Sequence, residues 1–155
     1  MKLDLVQHGD AKPKEEDPDR PLSGKGRADV QKMGSFLAVA GLIPPKSIFH
    51  SGKTRARETA EILAASLNPA GGAARADGLD PLAEFTAWAE KCAIWEEDLM
   101  LVGHLPHLCA LASALLCGDE AKRVVSFSPG SVLCLERDDA GSWSIRWMLA
   151  PEMMR

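Results

Sequence analysis

The stretch Leu5-Val6-Gln7-His8-Gly9-Asp10 is echoed later in the chain by Leu101-Val102-Gly103-His104-Leu105-Pro106. In both, an apolar run of the kind buried on two faces ends abruptly in a histidine followed by loop residues. An open α/β sheet presents side chains this way in the crevice beyond its strand ends. Between them, Ser47-Ile48-Phe49-His50-Ser51 reads as a third such strand and runs straight into Gly52-Lys53-Thr54-Arg55-Ala56-Arg57-Glu58-Thr59-Ala60. A helix that starts there aims its first backbone N–H groups, and Arg55, at the same crevice, which makes an anion site.

Working outward, the first strand is expected over residues 2–7, followed by a charged, proline-containing surface loop over 10–21. Ser23 suits the cap of a helix over 25–40, where Met33, Phe36, Leu37 and Ala40 recur at helical spacing and Gly41 supplies the stop. A second helix over 54–67 places Ala56, Ala60, Leu63 and Leu67 on one face, and the Asn68-Pro69-Ala70-Gly71-Gly72 run ends it. A weak strand or loop follows near 73–79. Leu82, Phe85, Ala89 and Cys92 share a third helical face, ahead of a strand at 99–102 and a helix over 106–116 that begins with proline. Alternating short strands and helices predict a three-layer α/β sandwich with a mostly parallel central sheet covered on both faces. The end of the chain differs: 132–136 and 143–149 flank a polar turn, and Trp143, Ile145, Trp147 and Leu149 alternate as in a half-buried strand. An antiparallel C-terminal hairpin is expected there.

The 155 residues suit a single domain, 1–155, with no interdomain linker and no repeat beyond the histidine echo. A net charge of -4 without any basic block argues against nucleic acid as a ligand. The first residues carry an acid within their apolar stretch and do not read as a signal peptide, and no run approaches membrane-spanning length. Cys92, Cys109, Cys117 and Cys134 sit among apolar neighbours without a Cys-x-x-Cys pair, so they read as small core hydrophobes in a reducing compartment. A cytoplasmic protein without membrane association is expected.

Four motifs stand in order: Gln7-His8-Gly9-Asp10-Ala11, Arg20-Pro21-Leu22-Ser23-x-x-Gly26, Ser51-x-x-x-Arg55-Ala56-x-x-Thr59-Ala60 and Gly103-His104-Leu105-Pro106. In this order the chain resembles the histidine phosphatase superfamily, and within it the small bacterial phosphohistidine phosphatases of the SixA type, over nearly its full length. The resemblance implies a phosphatase. One position departs from it, because the family opens with Arg-His-Gly and this chain has Gln7 before His8.

The chemistry follows from the residue types. A phosphoryl group in transfer carries its negative charge on the equatorial oxygens, so catalysis needs an in-line nucleophile and cationic donors around those oxygens. His8 suits the nucleophile, since a neutral imidazole attacks without metal and forms a phosphohistidine that water then hydrolyses. Arg55 can take two oxygens with one fork, and His104, once protonated, can donate to a third. Taken singly, each has a structural reading: His8 and His104 as loop or core histidines, Arg55 as a surface charge. Three compatible side chains at three strand exits favour a shared site.

In the family the arginine before the nucleophile resembles a second cationic clamp. Gln7 can hydrogen-bond a phosphoryl oxygen but brings no charge, which leaves two readings open: a working phosphatase, or a weakened or inactive module that binds phosphate or phosphohistidine. Lys53, Lys12 or Arg57 are the candidates to restore the charge, Lys53 first because it shares the Arg55 loop. His104 and His107 lie three apart, but no third ligand accompanies them, and neither metal nor cofactor is expected. Asp80 and Glu84 are the carboxylates placed to serve as a leaving-group acid, and both also read as helix-start residues. A sugar alkoxide departs badly without an acid, whereas the imidazole of a phosphoramidate needs little help. The expected partner is therefore a phosphorylated protein, such as a phosphohistidine domain, or a small phosphorylated substrate.

Overall fold

Leu99–Gly103 is buried at every position, and its side chains divide between two separate cores. Leu99 and Leu101 face one core and Met100 and Val102 the other, as an interior strand of a parallel sheet requires. The computed structural model describes residues 1–154 and builds the whole molecule around this strand. The order is β1 (Lys2–Gln7), α1 (Gly24–Val39), β2 (Ser47–His50), α2 (Thr54–Leu67), β3 (Ala73–Arg75), α3 (Thr86–Ile94), β4 (Leu99–Gly103), α4 (His107–Cys117), β5 (Val132–Arg137) and β6 (Trp143–Leu149). Short 3-10 turns lie at Glu120–Lys122 and Pro151–Met153.

The sheet runs β3-β2-β4-β1-β5-β6. β3, β2, β4 and β1 are mutually parallel, and β5 and β6 add an antiparallel hairpin along β1. Helices α3 and α4 cover one face with Trp88, Cys92, Leu108 and Leu111. Helices α1 and α2 cover the other with Val30, Met33, Leu37, Ala56, Ala60 and Leu63. The three-layer α/β sandwich expected from the pattern is thus the fold, with a mixed sheet.

Local chemistry explains the boundaries. Ser23 Oγ accepts from Gly26 N at 2.9 Å and caps α1, and Gly41, at φ 70°, turns the chain away after it. Leu67 ends α2 because Asn68 adopts the left-handed conformation, at φ 49°. Gly26 is required by contact: a Cβ there would sit 2.0 Å from Asp10 O, so α1 rests directly on the loop that follows His8.

Several expectations need correction. Phe36 is 42% exposed, and the inward stripe of α1 runs instead through Gly26, Val30, Met33, Gly34 and Leu37. Leu82 is 87% exposed, because a turn with Ala83 N donating to Asp80 O delays α3 to Thr86. The anchor of that helix is Trp88, whose indole N–H donates to Asp77 O at 3.0 Å. Ile145 is 51% exposed, since a bulge opposite Cys134 and Leu135 breaks the alternation of β6. Cys134 pairs with Trp147 and Leu135 with Ile145, leaving Arg146 as the extra residue. Trp143 therefore packs on one core and Trp147 on the other. Of the cysteines, Cys92 and Cys134 are buried, Cys109 half-buried and Cys117 exposed. Pro106 is the cap preceding α4 and does not lie in its first turn.

Two glycine variants separate close packing from propensity. Urea denaturation should find Gly24→Ala, where a Cβ meets open space, neutral or mildly stabilising. Gly26→Ala should cost at least about 1–3 kcal/mol, the range for overpacking, because backbone cannot move aside as a side chain does. Leu101→Ala, fully buried, should cost about 2–5 kcal/mol.

Candidate active site

The parallel register of β1 and β4 pairs Gln7 with Gly103, so the next residue of each strand leaves the sheet side by side. His8 N donates to Gly103 O at 3.1 Å and locks this exit. The His8 and His104 rings lie 5.0 Å apart between centroids and are tilted by 53°. That spacing leaves both imidazoles able to touch one tetrahedral group.

Two contacts hold the His8 ring and one holds that of His104. His8 Nδ1 lies 2.7 Å from Gly9 O, and a carbonyl can only accept, so Nδ1 carries the proton. The lone pair of the neutral ring is then on Nε2, where Arg55 Nε donates at 3.3 Å. His104 is buried, with Nε2 at 2.6 Å from Ser51 Oγ and Nδ1 buried without a partner. Burial pulls the His8 pKa down to about 4, against a smaller upward pull from the Gly9 carbonyl, and the charges of Arg55 and Arg20 depress it further. Burial, then His8 and Arg55, hold His104 down at about 3. Both imidazoles are neutral at physiological pH.

The cations around them are the guanidiniums of Arg55 and Arg20 and, acting on His104, the ammonium of Lys53. Arg55 stands in the first turn of α2, half-buried, and burial and the charge of Arg20 both oppose its own charge. Arg20 acts electrostatically on His8 and Arg55 alike. It adopts a left-handed φ of 48°, uncommon for a residue with a Cβ, and its Nε donates to Lys12 O at 3.1 Å. Glu58, on α2, fixes that loop by accepting from Leu22 N at 2.8 Å and pairing with Arg27 at 3.2 Å. Among the described residues, neither Arg55 nor Arg20 has a carboxylate ion-pair partner, whereas Lys53 pairs with Asp80, Lys12 with Glu16 and Arg57 with Glu61.

Arg20 is thus a further cation acting on His8 and Arg55, while of the three candidates named from sequence Lys53 acts on His104 and all three are ion-paired to carboxylates. Its signal was present in Arg20-Pro21-Leu22-Ser23, which was read only as a motif of the resemblance. Thr59 is a second residue that sequence reasoning left without a role. Its buried hydroxyl accepts from Gly9 N at 3.0 Å and donates to Arg55 O at 2.7 Å, tying the His8 loop to the Arg55 helix. Gln7 is half-buried beside His8, with Oε1 buried and unpartnered. His50 accepts from Gly52 N at 3.1 Å and shapes the turn into α2. His107 is buried with neither ring nitrogen hydrogen-bonded, and among the described residues no group of three metal-ligating side chains forms around it. Asp80 and Glu84 are both exposed.

A sequence profile of the histidine phosphatase superfamily (branch 1) matches residues 3–87, which carry His8, Arg20 and Arg55. The chain belongs to the histidine phosphatase superfamily. An uncharacterized protein of Picosynechococcus sp. is 39% identical over 129 residues, 76% of this chain and 74% of that protein. Among solved structures, the protein histidine phosphatase SixA complexed with tungstate superposes with a TM-score of 0.86 at 20% identity, covering 100% of both chains. The putative phosphohistidine phosphatase SixA from Agrobacterium tumefaciens gives 0.77 at 24% identity, covering 97% of each. A mycobacterial glucosyl-3-phosphoglycerate phosphatase gives 0.70 at 17% identity, over 96% of this chain and 99% of that one. These superpositions establish a histidine phosphatase fold, including the terminal hairpin, and family membership supports phosphatase activity. Among the described residues no helix is long and apolar enough to cross a membrane.

The protonation states can be read directly. NMR titration of the imidazole C–H resonances without ligand should show His8 and His104 unchanged from pH 8 down to about 5, where an ordinary histidine would titrate near 6.5. The unfolded chain binds these protons first, so the fold loses stability as pH falls from about 6.5 toward 4 for His8 and toward 3 for His104. Saturating inorganic phosphate should move the His104 transition upward, because a bound anion favours the imidazolium.

Proposed function

We propose that the protein is a metal-independent phosphatase that acts on phosphohistidine or a similar phosphoramidate carried by a protein. One observation carries the reading: two guanidiniums, neither ion-paired to a carboxylate among the described residues, act on two neutral imidazoles whose rings lie 5.0 Å apart. Tungstate, named with the SixA structure, is a tetrahedral oxyanion, and an anion of that shape suits the space between these rings.

In this mechanism His8 Nε2 attacks phosphorus while the bond from phosphorus to the leaving nitrogen breaks. The Gly9 carbonyl holds the Nδ1 proton and stabilises the positive charge that develops on the ring. Arg55 and Arg20 neutralise the equatorial oxygens, and Gln7 supplies an uncharged hydrogen bond. His104, drawn toward the imidazolium form by the bound dianion, donates to a phosphoryl oxygen, with Ser51 setting its orientation. Water then attacks the phosphohistidine, phosphate leaves and neutral His8 returns.

The leaving group narrows the substrate. Asp80 is exposed and paired with Lys53 at 3.9 Å, and Glu84 is exposed, so no carboxylic acid is held ready for an alkoxide. An imidazole leaving group needs less assistance. A second reading, a phosphate-binding module with little turnover, rests on Gln7, which replaces a charge with an amide.

Rapid quench with a labelled phosphodonor should trap an acid-labile phosphoenzyme in the wild type and none in His8→Ala. Arg55→Ala should lower kcat/KM by about a hundred- to a thousandfold, the cost of losing one transition-state donor. Gln7→Arg should raise turnover if the site is attenuated. Calorimetric phosphate binding that requires Arg55, with no phosphoenzyme and no hydrolysis, would establish the binding module instead.

A further inference from the structure

At the opposite end of β1 from His8, a cavity of about 130 Å³ opens between the sheet and the loop after α1. Leu37, Leu67, Met100 and Trp147 form the apolar part of its walls, and Ile43, 71% exposed, also lines it. The volume is close to that of engineered apolar cavities of roughly 150 Å³, which admit benzene. Three charged side chains also line it: Lys2, Asp4 and Arg146.

The two cations are already matched, Lys2 with Asp98 at 3.9 Å and Arg146 with Glu136 at 3.1 Å. Among the described residues Asp4 has no ion-pair partner. It is half-buried on the inner strand β1, and its Oδ1 is buried with no hydrogen-bond partner among them. Its facing neighbours are Cys134 on β5 and Met100 on β4, a weak thiol donor and a thioether. Burial pushes its pKa up to about 6, against a downward pull from the Cys134 thiol, with lesser opposed contributions from Asp98 and Lys2. An unpaired carboxyl in an apolar cavity is costly unless something satisfies it.

We propose that this cavity is a binding site for a small primary amine whose apolar body is about the size of one aromatic ring. The ammonium donates to the Asp4 carboxylate, and the body fills the space among Leu37, Leu67, Met100 and Trp147. The cavity is separate from the phosphoryl site, and the proposal does not depend on the catalytic reading.

Benzylamine serves as probe, with benzyl alcohol and toluene as matched controls, in amide NMR titrations of the full chain at pH 7.5. Saturable shifts are expected in β1 and β5 around Asp4 and Cys134, with benzylamine binding at least about tenfold tighter than either control. Asp4→Asn should remove that preference. It also relieves a buried unpaired acid, so it is expected to fold. Leu67→Phe should block all three probes. Benzylamine affinity should fall as pH drops below about 6, because the carboxyl that accepts from the ammonium becomes protonated. Absence of saturable shifts at millimolar benzylamine, equal affinity for toluene, or undiminished benzylamine affinity in Asp4→Asn would each overturn the proposal.

Discussion

The pairing of β1 with β4 is the constraint on which the rest depends. It sets Gln7 opposite Gly103, so the first residue past each strand is a histidine, and the two rings arrive 5.0 Å apart. The register is enforced by burial. Leu3 and Leu5 share one core with Leu99 and Leu101, while Val6 shares the other with Met100 and Val102. A slip by one residue would exchange the faces of a strand and bury Asp4 in the α3–α4 core, so the hydrophobic effect places the imidazoles indirectly.

The electrostatics of the crevice follow from where its carboxylates are spent. Asp10 accepts from Ser23 Oγ at 2.5 Å, Glu58 serves Leu22 N and Arg27, and Asp80 serves Lys53. Arg20 and Arg55 are held by a backbone carbonyl and an imidazole, neither of which cancels their charge. A guanidinium cannot shed its proton as a buried lysine can, so the site remains cationic. Burial first, and these charges second, keep both imidazoles neutral until an anion arrives.

The two ends of the parallel strands carry opposite imbalances. At the carboxyl end, cations lack anions. At the amino end, Asp4 lacks a cation and sits against an apolar cavity. Asp4 lies within β1 and His8 directly follows it, so the two imbalances stand toward opposite ends of one strand. Charge left unmatched on a buried strand is unfavourable for the fold, which is why each end is a place to look for a ligand.

Much of this was legible in the chain because it rests on short-range rules. Helix α2 spans Thr54–Leu67 as its spacing and the Asn68-Pro69 stop dictate, and Ser23 caps α1 through its own hydroxyl. His8, Arg55 and His104 were identifiable because each follows directly from a strand exit or helix start. Arg20, Thr59 and Ser51 were not assigned roles, because what matters about them is a partner far along the sequence: Thr59 meets Gly9, 50 residues away, and Ser51 meets His104, 53 away. The exposed Leu82 and Ile145 were misplaced for a related reason, since a turn and a bulge displaced the period that their neighbours announced. Local pattern determined which segments would be strands and helices and which side chains stood at their ends. Only the folded chain decided which unpaired charges met, because ion pairing is set by distances between segments, and no periodicity along the sequence encodes them.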